Sequence, residues 1–313
     1  MYVPQTYHAA LILMLTSMVC WGSWPNFLKK LPAWRLEYFY FDFTLGPDSA
    51  DAGGFITHLF QAGPREASFA ILGGFIWNIG NILLLNSIMI AGLAVAFPIA
   101  AIPAIVLGIG ASYWLQPVGN PWLLATSVLV LLIAAQTAAA AYRRLGSATG
   151  PGKPKGIATA LLSGLLIGFF PPFVTAAITG SAALESYTVS TLFMVGAFLT
   201  TVIALPILIR RPLVGDAGNL GGYSSGRVGW HVLGLLAGAM WSSGTVFNFI
   251  AAGMVGVAIS VGIGSGAPMI GALWGVFAWR EYASGPPTSK ALIAAALLLY
   301  AVGVAAMAIA YTM

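Results

Sequence analysis

Nine apolar runs set what this chain can fold into. They fall at about 8–28, 67–90, 92–115, 121–142, 156–178, 188–209, 229–252, 254–278 and 291–312. A helix of about 20 apolar residues is what crosses the roughly 30 Å hydrocarbon core of a bilayer. The chain is 59% hydrophobic and 7% charged, where a soluble domain carries roughly 25% charged residues. No soluble fold of 313 residues hides that much apolar surface, so the expected fold is an all-α polytopic membrane protein with the lipid bilayer as its solvent. The 38 glycines suit closely packed spanning helices. The formal charge of +5 does not indicate a nucleic-acid partner, because basic residues also mark cytoplasmic loops. A single cysteine, Cys20, excludes an internal disulfide and a cysteine-based metal site. The first apolar run ends in Trp21-Gly22-Ser23-Trp24-Pro25 and lacks the small-residue site of a cleaved signal peptide.

The segment 34–60 decides the topology. It opens with Trp34, Phe39, Tyr40, Phe41 and Phe43, then turns polar at Gly46-Pro47-Asp48-Ser49-Ala50-Asp51, too early for a full helical crossing. If it crosses once, Lys29, Lys30, Arg35, Arg143, Arg144, Lys153, Lys155, Arg210, Arg211, Arg227, Arg280 and Lys290 share one side, and of 13 basic residues only Arg65 lies on the other. The positive-inside rule makes the rich side cytoplasmic and points both termini outward. Without that crossing, Lys29, Lys30 and Arg35 change sides.

An internal repeat organises the rest. Trp77, Gly80, Gly92 and Ala94 return 164 positions later as Trp241, Gly244, Gly256 and Ala258, flanked by Gly74 with Gly238 and Ile99 with Ile263. A duplicated membrane half is a transporter signature. The run 8–28 matches 156–178 at an offset nearer 146, pairing Trp24-Pro25 with Phe170-Pro171. The first half is then shorter by about 18 residues, roughly one span, although the loop 210–228 also accounts for such a difference. The expected organisation is a first repeat at 1–144, a basic central loop at 145–155 and a second repeat at 156–313, descended from ten helices with the second truncated. The central loop contains Gly152-Lys153, but Pro154 follows in place of Ser or Thr, so it reads as a flexible basic linker and not a phosphate loop.

Few residues carry chemistry. Pro25 removes a backbone donor near the end of the first run, and Pro171-Pro172 do the same in its counterpart. Breaks at matching positions point to a substrate cavity, with an interfacial aromatic belt as the other reading of the tryptophans. Pro98, Pro103 and Pro268 are candidate bends or hinges. Asp42, inside Tyr38-Phe39-Tyr40-Phe41-Asp42-Phe43, is an acid among aromatics; lost solvation raises such a pKa toward the range where protons exchange, so Asp42 is the candidate proton-coupling group. Asn78, Asn81 and Asn86 lie in one copy of the repeat, and Ser242, Ser243, Thr245 and Asn248 in the other. Trp77 shares a helix face with Asn81, as Trp241 does with Thr245. Aromatic plates beside neutral amides and hydroxyls suit a planar, uncharged, hydrogen-bonding solute; hydrogen bonding between helices is the competing reading. The candidate binding set is Trp24, Trp77, Asn78, Asn81, Phe170, Trp241, Thr245 and Asn248. His8, His58 and His231 show no metal spacing. No nucleophile, base and orienting group come together, so no enzyme, cofactor or metal is expected.

Three stretches carry a family resemblance. Trp21-Gly22-Ser23-Trp24-Pro25, Tyr40-Phe41-Asp42-Phe43 and Leu273-Trp274-Gly275-Val276-Phe277-Ala278-Trp279-Arg280-Glu281 resemble, in this order, the first helix, the start of the second and the end of the ninth in the drug/metabolite transporter superfamily. The nearest branch is that of plant ureide permeases and bacterial glucose/ribose-type uptake carriers. The resemblance implies ten helices in two inverted five-helix repeats around a central cavity. It implies proton-coupled import of small polar solutes such as allantoin, uracil or related oxo-heterocycles, or of sugars, across the plasma (inner) membrane. It assigns Asp42 the role of the helix-two acid and Trp24 that of a cavity aromatic. The shortened second helix is a departure from that pattern. The working expectation is alternating access for an oxo-heterocycle with protons. A sugar–proton symporter and a non-transporting scaffold or receptor are the alternatives, and a homodimer is left open.

Overall fold

The computed structural model describes residues 2–31, 34–46, 63–146, 154–179 and 182–313, and among them the regular structure is entirely helical. Helix α1 (Tyr7–Ser23) tightens into a 3-10 segment at Trp24–Lys30, with Pro25 in its first turn. Then follow α2 (Leu36–Leu45), α3 (Pro64–Ala91), α4 (Leu93–Leu115), α5 (Pro121–Arg144), α6 (Pro154–Thr179), α7 (Ser186–Arg210), a single turn α8 (Gly221–Ser224) and α9 (Val228–Val255). The next span is broken into α10 (Val257–Gly264), α11 (Ala267–Leu273) and a π-helical turn at Trp274–Ala278, and α12 (Pro287–Ile309) closes the chain. Among the described residues, nine helical stretches are long and apolar enough to cross a membrane. They match the nine apolar runs, and the chain is a multi-pass membrane protein. Its perimeter agrees: Trp114 and Trp122 are 86% and 81% exposed on neighbouring helix ends, as membrane-interface tryptophans are.

Helix α2 has 10 residues, about 15 Å at 1.5 Å per residue, or half of a hydrocarbon core. The rest of segment 34–60, and 147–153 of the central loop, lie outside the described residues. Contacts place Lys29 beside the turn that holds Arg280 and Glu281, next to the end of α5, and Arg35 against the connection that follows α7. Lys29 pairs with Glu281, which also accepts from Tyr142 at the end of α5 (3.0 Å), and Arg35 donates to the Asp216 carbonyl (2.7 Å).

The repeated motif sits in matched settings. Both α3 and α9 have 28 residues, and each stops at a glycine with positive φ: Gly92 at 82° and Gly256 at 81°. Only glycine takes that backbone conformation without strain. Helix α3 packs on α6 and α7, and α9 packs on α1 and α2, so each copy binds mainly the helices that precede the other. The close approaches repeat as well. A methyl group added at Gly74 would meet the Phe193 carbonyl, and one at Gly238 the Phe43 carbonyl. Gly168 lies against the Pro103 carbonyl, and Gly22 against that of Ala267. These four glycines bring backbones together where apolar side chains gain nothing over lipid, so packing itself supplies the attraction.

This geometry sets a test of the packing. Gly74→Leu or Gly238→Leu pushes a side chain into backbone and costs about 3 kcal/mol, the upper end of ordinary overpacking. Gly110→Ala, at a site with open space, is neutral. Thermal stability of the detergent-purified protein, read by size exclusion after heating, separates the two classes.

Candidate functional site

A cavity of about 240 Å³ lies at the centre of the bundle, walled by Trp21, Trp24, Trp77, Phe97, Phe170, Trp241 and Tyr300 together with small residues of α4 and the broken span α10–α11. The break itself borders it, since Gly264, Ser265, Ala267 and Pro268 all line the wall. Pro268 sits in the first turn of α11, where a missing N–H costs nothing. Pro171 also lines the cavity, with Pro172 beside it inside α6; Pro98 and Pro103 lie inside α4. The carbonyl of Pro98 accepts from Gln136 Nε2 on α5 at 3.3 Å.

The two repeat-related tryptophans meet. The rings of Trp77 and Trp241 stack with centroids 4.4 Å apart and planes 18° from parallel. Phe43 bridges Trp241 (5.3 Å) to Trp24 (4.6 Å), and Phe193 joins Trp77 to Phe170 and Phe249. Helices α2, α3, α6, α7 and α9 and the segment after α1 each contribute a ring to this chain. Trp21 donates its indole N–H to Thr245 Oγ1 at 3.2 Å.

Asp42 lies elsewhere. Its carboxylate accepts from His231 Nδ1 at 2.8 Å and from the Tyr223 hydroxyl. Trp34 covers the pair edge-on to His231 at 4.7 Å. The Asp42 side chain is 3% exposed, and that of His231 22%. His231 and Trp241 are ten residues apart on α9, so this cluster is displaced by about 15 Å toward the basic end from the stacked tryptophans. Three elements build it: α2, α9 and the α7–α9 connection. That connection is fastened to α2 by Tyr38, which donates to the Asn219 carbonyl at 2.5 Å, and by Arg35. Burial and the Asp42 carboxylate push the Tyr223 hydroxyl above the ordinary phenol range, so it remains a donor. Glu37 is engaged by Arg35 at 3.1 Å, and Arg227 lies over Trp230; His231 and Tyr223 are the groups that face the acid.

No family model matches the chain. It is 24% identical over 396 residues to ureide permease 4 of Arabidopsis thaliana, covering 97% of this chain and 98% of that one. Over 135 residues, 37% of this chain and 33% of the relative, it is 29% identical to ureide permease 5 of the same plant. The similarity to ureide permease 4 thus runs over nearly the whole of both chains. A protein known from its crystal structure superposes with a TM-score of 0.64 over 98% of this chain and 100% of the other, at 17% identity, which is a likeness of fold.

The remaining candidates occupy the helix interfaces beside the cavity. Asn78 is fully buried, accepts from Tyr40 Oη (2.5 Å) and donates to the Ala197 carbonyl (2.6 Å) and Thr201 (2.8 Å). Asn81 donates to Tyr40 Oη at 2.8 Å. Asn248 donates to the Ser260 carbonyl at 2.9 Å, and Thr245 to the Trp241 carbonyl at 3.1 Å. None of the four lines the cavity, whereas Trp24, Trp77, Phe170 and Trp241 all do. In the sequence His231 stands out neither by metal spacing nor by a neighbouring acid. Its usable signal was weaker: it lies one helical turn before the glycine at 234, in the copy of the motif that packs on α2. Tyr300 was missed because it stands alone in an apolar run.

Tyr40 holds two buried amides, so Tyr40→Phe leaves both short of a partner. A loss of about 1–3 kcal/mol is expected, read as a lower melting temperature, with the double variant Tyr40→Phe/Asn81→Leu less destabilised than the sum of its parts.

Proposed function

We propose that this protein is a secondary carrier for a small, planar, polar solute of the ureide or nucleobase-like oxo-heterocycle class, moved together with protons by alternating access. The observation that carries the reading is an aromatic-walled central cavity in a chain that aligns end to end with ureide permease 4. At about 240 Å³ the cavity is below the roughly 300–1,000 Å³ of sites for drug-sized ligands and suits one small ring. Trp24, Trp77, Phe170 and Trp241 are the contact residues in this reading; Asn78, Asn81, Thr245 and Asn248 hold the helices that present them.

The Trp77–Trp241 stack gives the alternating motion a physical handle. The two rings belong to different copies of the repeat and touch each other, so a solute ring entering between them must separate the copies. Rocking of one half against the other then follows solute binding, within an architecture of two inverted five-helix repeats in which α2 is the shortened second helix. The basic end faces the cytoplasm by the positive-inside rule, and the cell membrane is the location.

Asp42 is the proton-coupling acid of this reading, with His231 as its partner. Protonation of the carboxylate removes the charge that holds His231 and Tyr223. It thereby loosens the contact between α2, α9 and the α7–α9 connection, which favours opening at that end.

Uptake of labelled allantoin, uracil, glucose and ribose into proteoliposomes tests this, with and without an inward proton gradient. Gradient-stimulated accumulation of an oxo-heterocycle is expected. Asp42→Asn removes the stimulation while solute exchange without a gradient persists, and His231→Gln shifts the pH dependence of uptake. Sugar accumulation alone, or no uptake by folded protein, overturns the reading.

A further inference from the structure

The polar groups of the cavity wall are few: the hydroxyls of Ser265 and Tyr300 and the indole N–H groups of its four tryptophans. The Trp21 indole N–H goes to Thr245, and Ser265 donates its proton to the Val261 carbonyl at 2.9 Å. Tyr300 differs. The residue is 1% exposed, it lines the cavity, and its hydroxyl has no hydrogen-bond partner. Several other described tyrosines donate: Tyr7 to the Ala308 carbonyl, Tyr38 to that of Asn219, Tyr40 to Asn78 and Tyr142 to Glu281. Tyr282 also has an unpartnered hydroxyl, but it packs on Tyr142 at the basic end, away from the cavity.

A buried serine or threonine is able to turn its hydroxyl onto the carbonyl one turn back in its own helix. A phenol cannot, because its oxygen stands at the far end of a ring. The Tyr300 hydroxyl therefore needs a partner from outside its helix, and buried polar groups are seldom left without one. Its depth fits a central site. Tyr300 is 13 residues into α12, as Trp241 is into α9, which puts both about 20 Å from helix starts at the basic end.

We propose that Tyr300 is a specificity-determining residue of the cavity, donating its hydroxyl proton to a carbonyl oxygen on the edge of the bound ring. Ser265 Oγ, its own proton committed to Val261, supplies an acceptor for a ring N–H. One donor and one acceptor complement a cyclic amide edge, the N–H beside C=O that ureides and oxo-pyrimidines carry. The tryptophans take the ring faces, and Tyr300 selects for the carbonyl. This rests on the oxo-heterocycle reading above and assigns the group that reads the solute within it.

Two measurements on the purified full-length chain test it. The first needs no solute: Tyr300→Phe removes an unpartnered hydroxyl and keeps the ring, so the solute-free variant melts at or above the wild-type temperature. A variant that melts several degrees lower has lost a structural bond, and the proposal falls. The second is binding of uracil, allantoin and pyrimidine, the last a ring without carbonyls. The wild type prefers the oxo-rings, and Tyr300→Phe weakens them about 10- to 100-fold while leaving pyrimidine unchanged. Unchanged affinity for the oxo-rings overturns the role of Tyr300 and spares the carrier reading. A wild type that binds none of the three overturns the solute class, and the melting comparison then decides on the hydroxyl by itself.

Discussion

Backbone contact at glycine is the constraint on which this structure depends. In lipid, a leucine gains little by leaving the hydrocarbon for another helix, so close packing has to supply the cohesion. Gly74 and Gly238 let α3 and α9 touch the carbonyls of Phe193 and Phe43. That approach lays Phe193 and Phe43 beside Trp77 and Trp241 and brings the two indoles into stacking contact. A single feature of the sequence, a glycine one helical turn before a tryptophan, thus supplies both the packing surface and the aromatic centre in each copy.

The polar residues divide into two populations by what surrounds them. Asn78, Asn81 and Tyr40 form a closed network with Thr201 and the Ala197 carbonyl, and closed networks stiffen an interface. Asp42, His231 and Tyr223 form a second cluster, in which a carboxylate ties two helices to a loop-borne tyrosine. The first locks α2 to α3 and α3 to α7. The second joins α2 to α9 and to the connection that follows α7. In the proposed carrier the acid and the solute cavity communicate across about 15 Å of α9, and a rigid helix with a residue in each is the plain mechanical link between them.

The broken span α10–α11 has a physical reason at each point. Gly256 turns the chain with positive φ, the α10 helix ends at Gly264, and Pro268 restarts it from Ser265-Gly266. Backbone left unpaired at membrane depth is tolerated where it is buried in protein or lines a cavity, and here Gly264, Ser265 and Ala267 line one. The π-helical turn that follows is anchored by Trp274 to Ser23 (2.9 Å) and by Trp279 to Asn26 (2.5 Å), which fastens the end of this span to the end of α1.

Length and composition by themselves determined the class of this protein and the number of its long apolar helices, because the thickness of a bilayer is written into the runs. The recurrence of glycine and tryptophan at the same spacing 164 positions apart was also legible, and with it the aromatic character of the centre. Sequence could not say which polar residues face a cavity, because an asparagine on a helix reads the same whether it meets a solute or the carbonyl of Ala197. Nor could it bring His231 to Asp42, 189 positions apart, or mark Tyr300, whose lone hydroxyl gains meaning only from the absence of a partner around it. Those were decided by tertiary packing, which alone sets who stands opposite whom.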